Sequence, residues 1–131
     1  VPRSLPALLQ GFQLTRKAAR VGFDWHNIDG IFDKLQEETE ELRVALKRGK
    51  SDEIEGELGD ILFVAVNLAR FLGVDPEIAM NQANSKFTRR FQEMERIARD
   101  KGTTFDKVPR PEMETLWDDA KRNLLSTSKV N

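Results

Sequence analysis

Residues 36 to 63 read QEETEELRVALKRGKSDEIEGELGDILF, and their acids fall at spacings that a helix turns into faces. At ~100° per residue, Glu38 and Glu41 flank the apolar stripe of Leu35 and Leu42 on one side, a turn apart. Glu37 and Glu40 fall on the far side. The following segment repeats the arrangement: Glu57 and Asp60 border the stripe of Leu58, Ile61 and Ala65, and Asn67 extends that polar edge by two turns. If the two helices pack as a hairpin, four carboxylates converge at one edge of their interface. Clustered acids repel, and burying one unpaired is costly, so something positive must sit among them. An all-oxygen set selects a hard cation such as Mg²⁺ or Mn²⁺. The alternative is two solvated acidic faces laced by i,i+4 ion pairs, for example Lys34 with Glu38. Spacing alone leaves both readings open.

Composition narrows the chemistry further. The 131 residues carry 21 basic and 22 acidic side chains and a formal net charge of −1, so no bulk electrostatic pull toward nucleic acid or membrane is expected. There is no cysteine, which removes disulfides, thiol nucleophiles and thiolate zinc sites. The one histidine, His26, cannot build a multi-histidine centre. Gly49-Lys50-Ser51 has the ending of a phosphate-binding loop, but position 44 is Val where that motif needs Gly and no strand precedes it. The three residues read as a helix-ending turn. No apolar run approaches the roughly 20 residues that span a bilayer and no signal peptide is visible, so a cytoplasmic location is expected. The chain begins with Val1 rather than Met, so a fragment of a longer protein is expected.

The elements that must position these acids read as helices throughout. Leu5, Leu8, Leu9, Phe12, Ala19 and Val21 mark a first helix ending at Gly22. A loop, GFDWHNIDG, leads into a second helix with the buried stripe Ile28, Ile31, Phe32, Leu35, Leu42, Ala45 and Leu46, closed by KRGKS. Ser51 is the expected N-cap of a third helix, with Asp52 and Glu53 favoured by its dipole. That helix carries Ile54, Leu58, Ile61, Leu62, Ala65, Leu68 and Leu72. Asp75-Pro76 opens a fourth, on which Lys86 and Arg90 share a face. A short last helix over 112–125 holds Trp117, and the polar tail STSKVN is expected to fray. The spacing predicts a single all-α domain, an antiparallel helical bundle of four main helices and a short C-terminal one. Ile61, Val64, Val66 and Leu68 lie on more than one face of the third helix, so an apolar patch left for a partner copy is expected there.

Glu37-Glu38-x-x-Glu41, fifteen intervening residues and Glu57-x-x-Asp60 together resemble the EExxE…ExxD signature of the MazG-type all-α nucleoside triphosphate pyrophosphohydrolases. RSLPALL, VGFDW, ELGDILFVAVNLAR and NSKFTRRF extend the likeness over nearly the whole chain, and it is strongest to the C-terminal domain of the two-domain bacterial members. The resemblance implies a Mg²⁺-dependent hydrolase, Mn²⁺ being a possible substitute, that cleaves NTPs and dNTPs to the nucleoside monophosphate and pyrophosphate with broad base tolerance. It assigns the metal to Glu38, Glu41, Glu57 and Asp60, and contacts with the phosphates to Lys34, Lys86 and Arg90. Trp117 is brought toward the nucleotide, to stack on its base, with Trp25 as the alternative stacking ring. Glu38 or Glu41 would activate or position the attacking water. The family also implies a homodimer with sites near its interface, and a domain excised from a longer two-domain chain. Glu53 stands where the related domain carries Lys, so a phosphate contact there is lost, with Lys50 in the adjacent turn as the candidate replacement; Phe12 stands where it carries a polar residue, so no nucleotide contact is carried over to that position. The competing expectations are a non-catalytic helical dimerisation module and a narrower dUTP or dCTP pyrophosphatase.

Overall fold

A computed structural model describes residue 1 and residues 5–130, with side chains up to residue 126, and every regular element among the described residues is helical. The helices are α1 (Ala7–Arg20), α2 (Ile28–Arg48), α3 (Ser51–Phe71), α4 (Pro76–Asp100) and α5 (Arg110–Val130), with a 3-10 turn at Phe105–Lys107 before α5. Arg3 and Ser4 of the RSLPALL string lie outside the described residues.

Local chemistry sets the ends. The Asn27 side chain accepts a bond from the Gly30 N–H at 3.2 Å and starts α2. Gly49, at φ +70°, ends it in the left-handed conformation that favours glycine, and its N–H donates to the Ala45 carbonyl at 3.1 Å. Asp75 Oδ1 accepts from the Glu77 N–H at 2.8 Å, with Pro76 in the first helical position of α4.

Two expectations are corrected. Ser51 is not a cap but the first residue of α3; extended Lys50 occupies the cap position and makes no side-chain bond there. With Gly49 consumed in ending α2, only one residue remains between the helices. The last helix is not short: it spans 21 residues and runs through the backbone of residues 126–130 of the tail expected to fray, Asn131 lying outside the described residues. No glycine or proline after Pro111 stops it.

The chain divides into two compact units, residues 1–79 and 80–131. In the first, α3 packs against both α1 and α2. The Gly49-Lys50 turn makes α2 and α3 an antiparallel hairpin, and Ile31, Ala45, Val64 and Val66 are buried. The patch expected from Ile61, Val64, Val66 and Leu68 is therefore not free, since Val64 and Val66 are buried and the other two half-buried. Packing on two sides consumes that face, and α3 instead exposes Leu58, Leu62 and Phe63.

In the second unit, Met94 and Ala98 of α4 join Val108, Leu116 and Ala120 in one buried cluster, with Phe91, Phe105 and Trp117 packed against it. Burying a side chain such as Leu116 contributes about 1.5–3 kcal/mol. No helix among the described residues is long and apolar enough to cross a membrane.

Candidate functional site

The α2–α3 hairpin brings Glu38, Glu41, Glu57 and Asp60 together. Carboxylate oxygens of Glu38, Glu57 and Asp60 lie within 4.8 Å of one another, and so do those of Glu37, Glu38 and Glu41. Glu38 belongs to both sets. It is only 5% exposed, and its two oxygens differ sharply. Oε1 takes the Lys34 ammonium at 3.2 Å, whereas Oε2 is buried with no hydrogen-bond partner. Glu57 Oε2 is buried and unpartnered in the same way. Lys34 also reaches Glu37 Oε1 at 3.3 Å.

The Lys34 ammonium pairs with Glu37 and Glu38 alone, in a group of acids that also holds Glu41, Glu57 and Asp60. The imbalance shows in Glu57, whose pKa is raised by burial first, then by the hydrogen-bonding approach of Glu41, then by repulsion from Glu41, Glu38 and Asp60. Oxygen donors alone, two of them buried without partners, fit a hard divalent cation. Glu37, Glu41, Glu57 and Asp60 line a cleft of about 720 Å³ that runs along the hairpin toward its turn, where Arg48 stands 3.9 Å from Glu53.

Wheel geometry therefore identified the converging acids but misplaced two others. Glu37 and Glu40, expected on the far side, line the same cleft. Glu37 is four residues before Glu41 and so shares its face, and a glutamate side chain is long enough to bend its carboxylate around the helix. The ion pair between Lys34 and Glu38 exists inside the acid cluster, so the two readings of these helices describe the same atoms. Gly49-Lys50 is the helix–helix turn and Ser51 the first residue of α3, so the three residues end one helix and begin the next.

Lys86, Arg90 and Trp117 belong to the second unit. Lys86 is exposed on α4. The Arg90 guanidinium lies over the Trp117 indole, 5.3 Å from its centroid, and the Phe87 ring packs 5.7 Å from the same indole. Trp117 is half-buried against the cluster around Leu116. Their pairing across two helices has no signature in sequence spacing.

The loop before α2 carries a network that sequence reading missed. Asp24 receives two bonds from Arg70 of α3, at 2.6 and 3.2 Å, and Arg70 Nε donates to Asn67 Oδ1 at 2.9 Å. Only the helical polar edge that includes Asn67 gave any signal of it.

Residues 27–94, just over half of the chain, match the MazG nucleotide pyrophosphohydrolase domain. The chain is 43% identical over 124 residues to the nucleoside triphosphate pyrophosphohydrolase of Escherichia coli K12, covering 93% of this chain and 47% of that protein. It is 39% identical over 117 residues to the nucleoside triphosphate pyrophosphohydrolase/pyrophosphatase MazG of Thermotoga maritima, covering 89% and 45%. The chain thus spans about half the length of these curated relatives.

Proposed function

The chain belongs to the MazG nucleotide pyrophosphohydrolase domain family, and from that premise we propose that it is a divalent-metal-dependent nucleoside triphosphate pyrophosphohydrolase. It converts NTPs and dNTPs of several bases to the monophosphate and pyrophosphate in the cytoplasm. The observation that carries this reading is the Glu38 carboxylate, buried at the junction of two acid sets with one oxygen on Lys34 and the other unpartnered.

Glu38, Glu41, Glu57 and Asp60 would hold Mg²⁺, with Mn²⁺ as a substitute. When bound, the cation neutralises the triphosphate and stabilises charge on the transferring oxygens. The protein's own groups do the rest. A water oxygen attacks phosphorus, the α–β anhydride bond breaks, and pyrophosphate leaves. Glu41, on the exposed side of the cleft, accepts the water proton. Glu38, held by Lys34, positions the water. Lys34 engages the phosphates, and Lys86 and Arg90, which the family resemblance assigns to the same role, would do so too, Arg90 with a planar fork that can grip two oxygens and that lies over the Trp117 ring.

Incubating the protein with each NTP and dNTP, with Mg²⁺, with Mn²⁺ and with neither, and measuring pyrophosphate tests this directly. Metal-dependent release from several nucleotides is expected. Release from dUTP or dCTP alone would mark a narrower enzyme, and none from any nucleotide would leave a binding module.

The active form in this proposal is a homodimer. Leu58, Leu62 and Phe63 are each nearly half exposed on α3, and adjoining apolar side chains in that state mark interfaces. Light scattering at micromolar concentration should give twice the chain mass; a monomer at all concentrations would reject the dimer.

A further inference from the structure

α1, α2, α3 and the loop between the first two enclose a second cavity in the first unit, about 440 Å³, a size typical of small-molecule sites. Leu14, Trp25 and Phe63 form apolar walls, and Lys34 stands on its lining. The cavity therefore adjoins the residue that bridges Glu37 and Glu38. The Trp25 ring lies so close to α2 that a Cβ at Gly30 would come within 2.9 Å of its Cε3 atom.

Most polar groups on this lining are already engaged. The Thr15 hydroxyl donates to the Gly11 carbonyl at 3.0 Å. Asp24 accepts from Arg70 and, at 2.8 Å, from the Trp25 backbone N–H. Arg70 Nε donates to Asn67 Oδ1. A guanidinium can only donate, so this bond fixes the oxygen end of the Asn67 amide and leaves Nδ2 for the cavity. Among the described residues, Asn67 Nδ2 and the Trp25 indole N–H make no hydrogen bond. The cavity thus combines flat apolar walls with uncommitted donors. Asn67 also lies seven residues beyond Asp60, two turns along the same face of α3, or about 10 Å of helix. That separation is comparable with the distance from a base edge to the phosphates of one nucleotide.

We propose that this cavity seats the base and that Asn67 sets base preference, its Nδ2 donating to a carbonyl oxygen on the base edge. Asp24 and Arg70 are positioning residues that hold the amide in that orientation. The proposal rests on reading the acid cluster as the phosphate end of the substrate. It predicts a graded preference within a broad tolerance: bases with an exocyclic carbonyl are favoured over adenine, whose corresponding edge carries an amino group. With the base here, Trp117 serves Arg90 rather than stacking on the nucleotide.

Hypoxanthine and adenine have nearly the same stacking area and differ at that edge, so ITP and ATP are the discriminating pair. The unmodified protein should show kcat/KM for ITP roughly two- to tenfold above ATP, the worth of one neutral hydrogen bond. Asn67→Asp keeps the shape and the acceptor for Arg70 but loses the donor, and should bring the ratio to about one or below. Asp24→Asn, which loosens the clamp, should give an intermediate ratio. An unchanged ratio in Asn67→Asp, with both nucleotides still hydrolysed, overturns the proposal. Absence of pyrophosphate from every triphosphate overturns instead the reading on which it rests. A second measurement does not depend on the Asn67 variant folding. Trp117→Phe leaves Trp25 as the sole tryptophan. Its fluorescence should be quenched by an α,β-methylene analogue of ITP and not by inorganic triphosphate; equal responses to the two, or none to the analogue, overturn the assignment.

Discussion

The Arg90 guanidinium lies over the Trp117 indole, its central carbon 5.3 Å from the ring centroid. Such a contact contributes about 0.5–2 kcal/mol depending on desolvation, and it orients a planar fork that a lysine cannot supply.

Arg90→Ala should accordingly lower kcat/KM by about one to two orders of magnitude, since a charge-assisted bond contributes ~1.5–3 kcal/mol. The loss should be about equal for all bases, because the proposed contact is to phosphate. Arg90→Lys should fall between that variant and the unmodified protein. Steady-state kinetics over a panel of NTPs checks this, and a change of base preference on losing Arg90 would contradict it.

Glu41→Ala and Asp60→Ala should each abolish pyrophosphate release while leaving the helical circular dichroism spectrum intact. Removing one acid relieves repulsion among the others, so the metal-free melting temperature should be unchanged or higher. Glu38→Ala should behave differently, because it strips Lys34 of its closest partner. Retained hydrolysis in both of the first two variants would rule out the metal assignment.

The raised pKa of Glu57 fixes a pH dependence. Folding a carboxyl whose pKa is raised costs stability wherever the group is charged in both states, that is, above the folded value. Below the ordinary glutamate value the group is protonated in both states and the cost is absent. Stability of the metal-free protein from this group therefore falls as pH rises between the two values. Glu57→Gln should melt higher than the unmodified metal-free protein near neutral pH, with the difference shrinking as pH falls through that window. Thermal scans in chelator across pH measure it; a difference that grew on acidification would have the wrong sign.

Gly30→Ala should displace the Trp25 ring, because the added Cβ would stand 2.9 Å from it. Overpacking costs ~1–3 kcal/mol, offset by about 1 kcal/mol of better helix propensity. The net loss should therefore be small, about 0–2 kcal/mol, while Trp25 emission shifts clearly in the Trp117→Phe background. An unshifted emission would show that the ring does not pack there.

Features written in nearest-neighbour chemistry were legible in the sequence. Gly49 marks the end of α2 and Asp75-Pro76 the start of α4, while a 3.6-residue period put Glu38 beside Glu57. Features that depend on a third element were not. Val64 and Val66 face inward because α1 and α2 both cover α3, and no property of α3 alone announces two neighbours. Glu37 enters the cleft beside Glu41, a turn away on the same face, and Glu40 by side-chain reach, which a wheel of Cα directions omits. Arg70 finds Asp24 across the fold, and Arg90 finds Trp117 on another helix, at separations no local pattern encodes.

The Asp24–Arg70 bond joins residues 46 positions apart in the chain, whereas the acids of α2 and α3 meet across a two-residue turn. Contacts of short sequence separation form with little loop-closure entropy, and long-range ones wait for the chain between them to order. The carboxylate cluster is thus expected to assemble early in folding, as soon as the hairpin closes. The Trp25 loop locks only after α1 has docked. During synthesis, the hairpin proposed to bind cations would then be complete before the pocket proposed to discriminate among bases has closed.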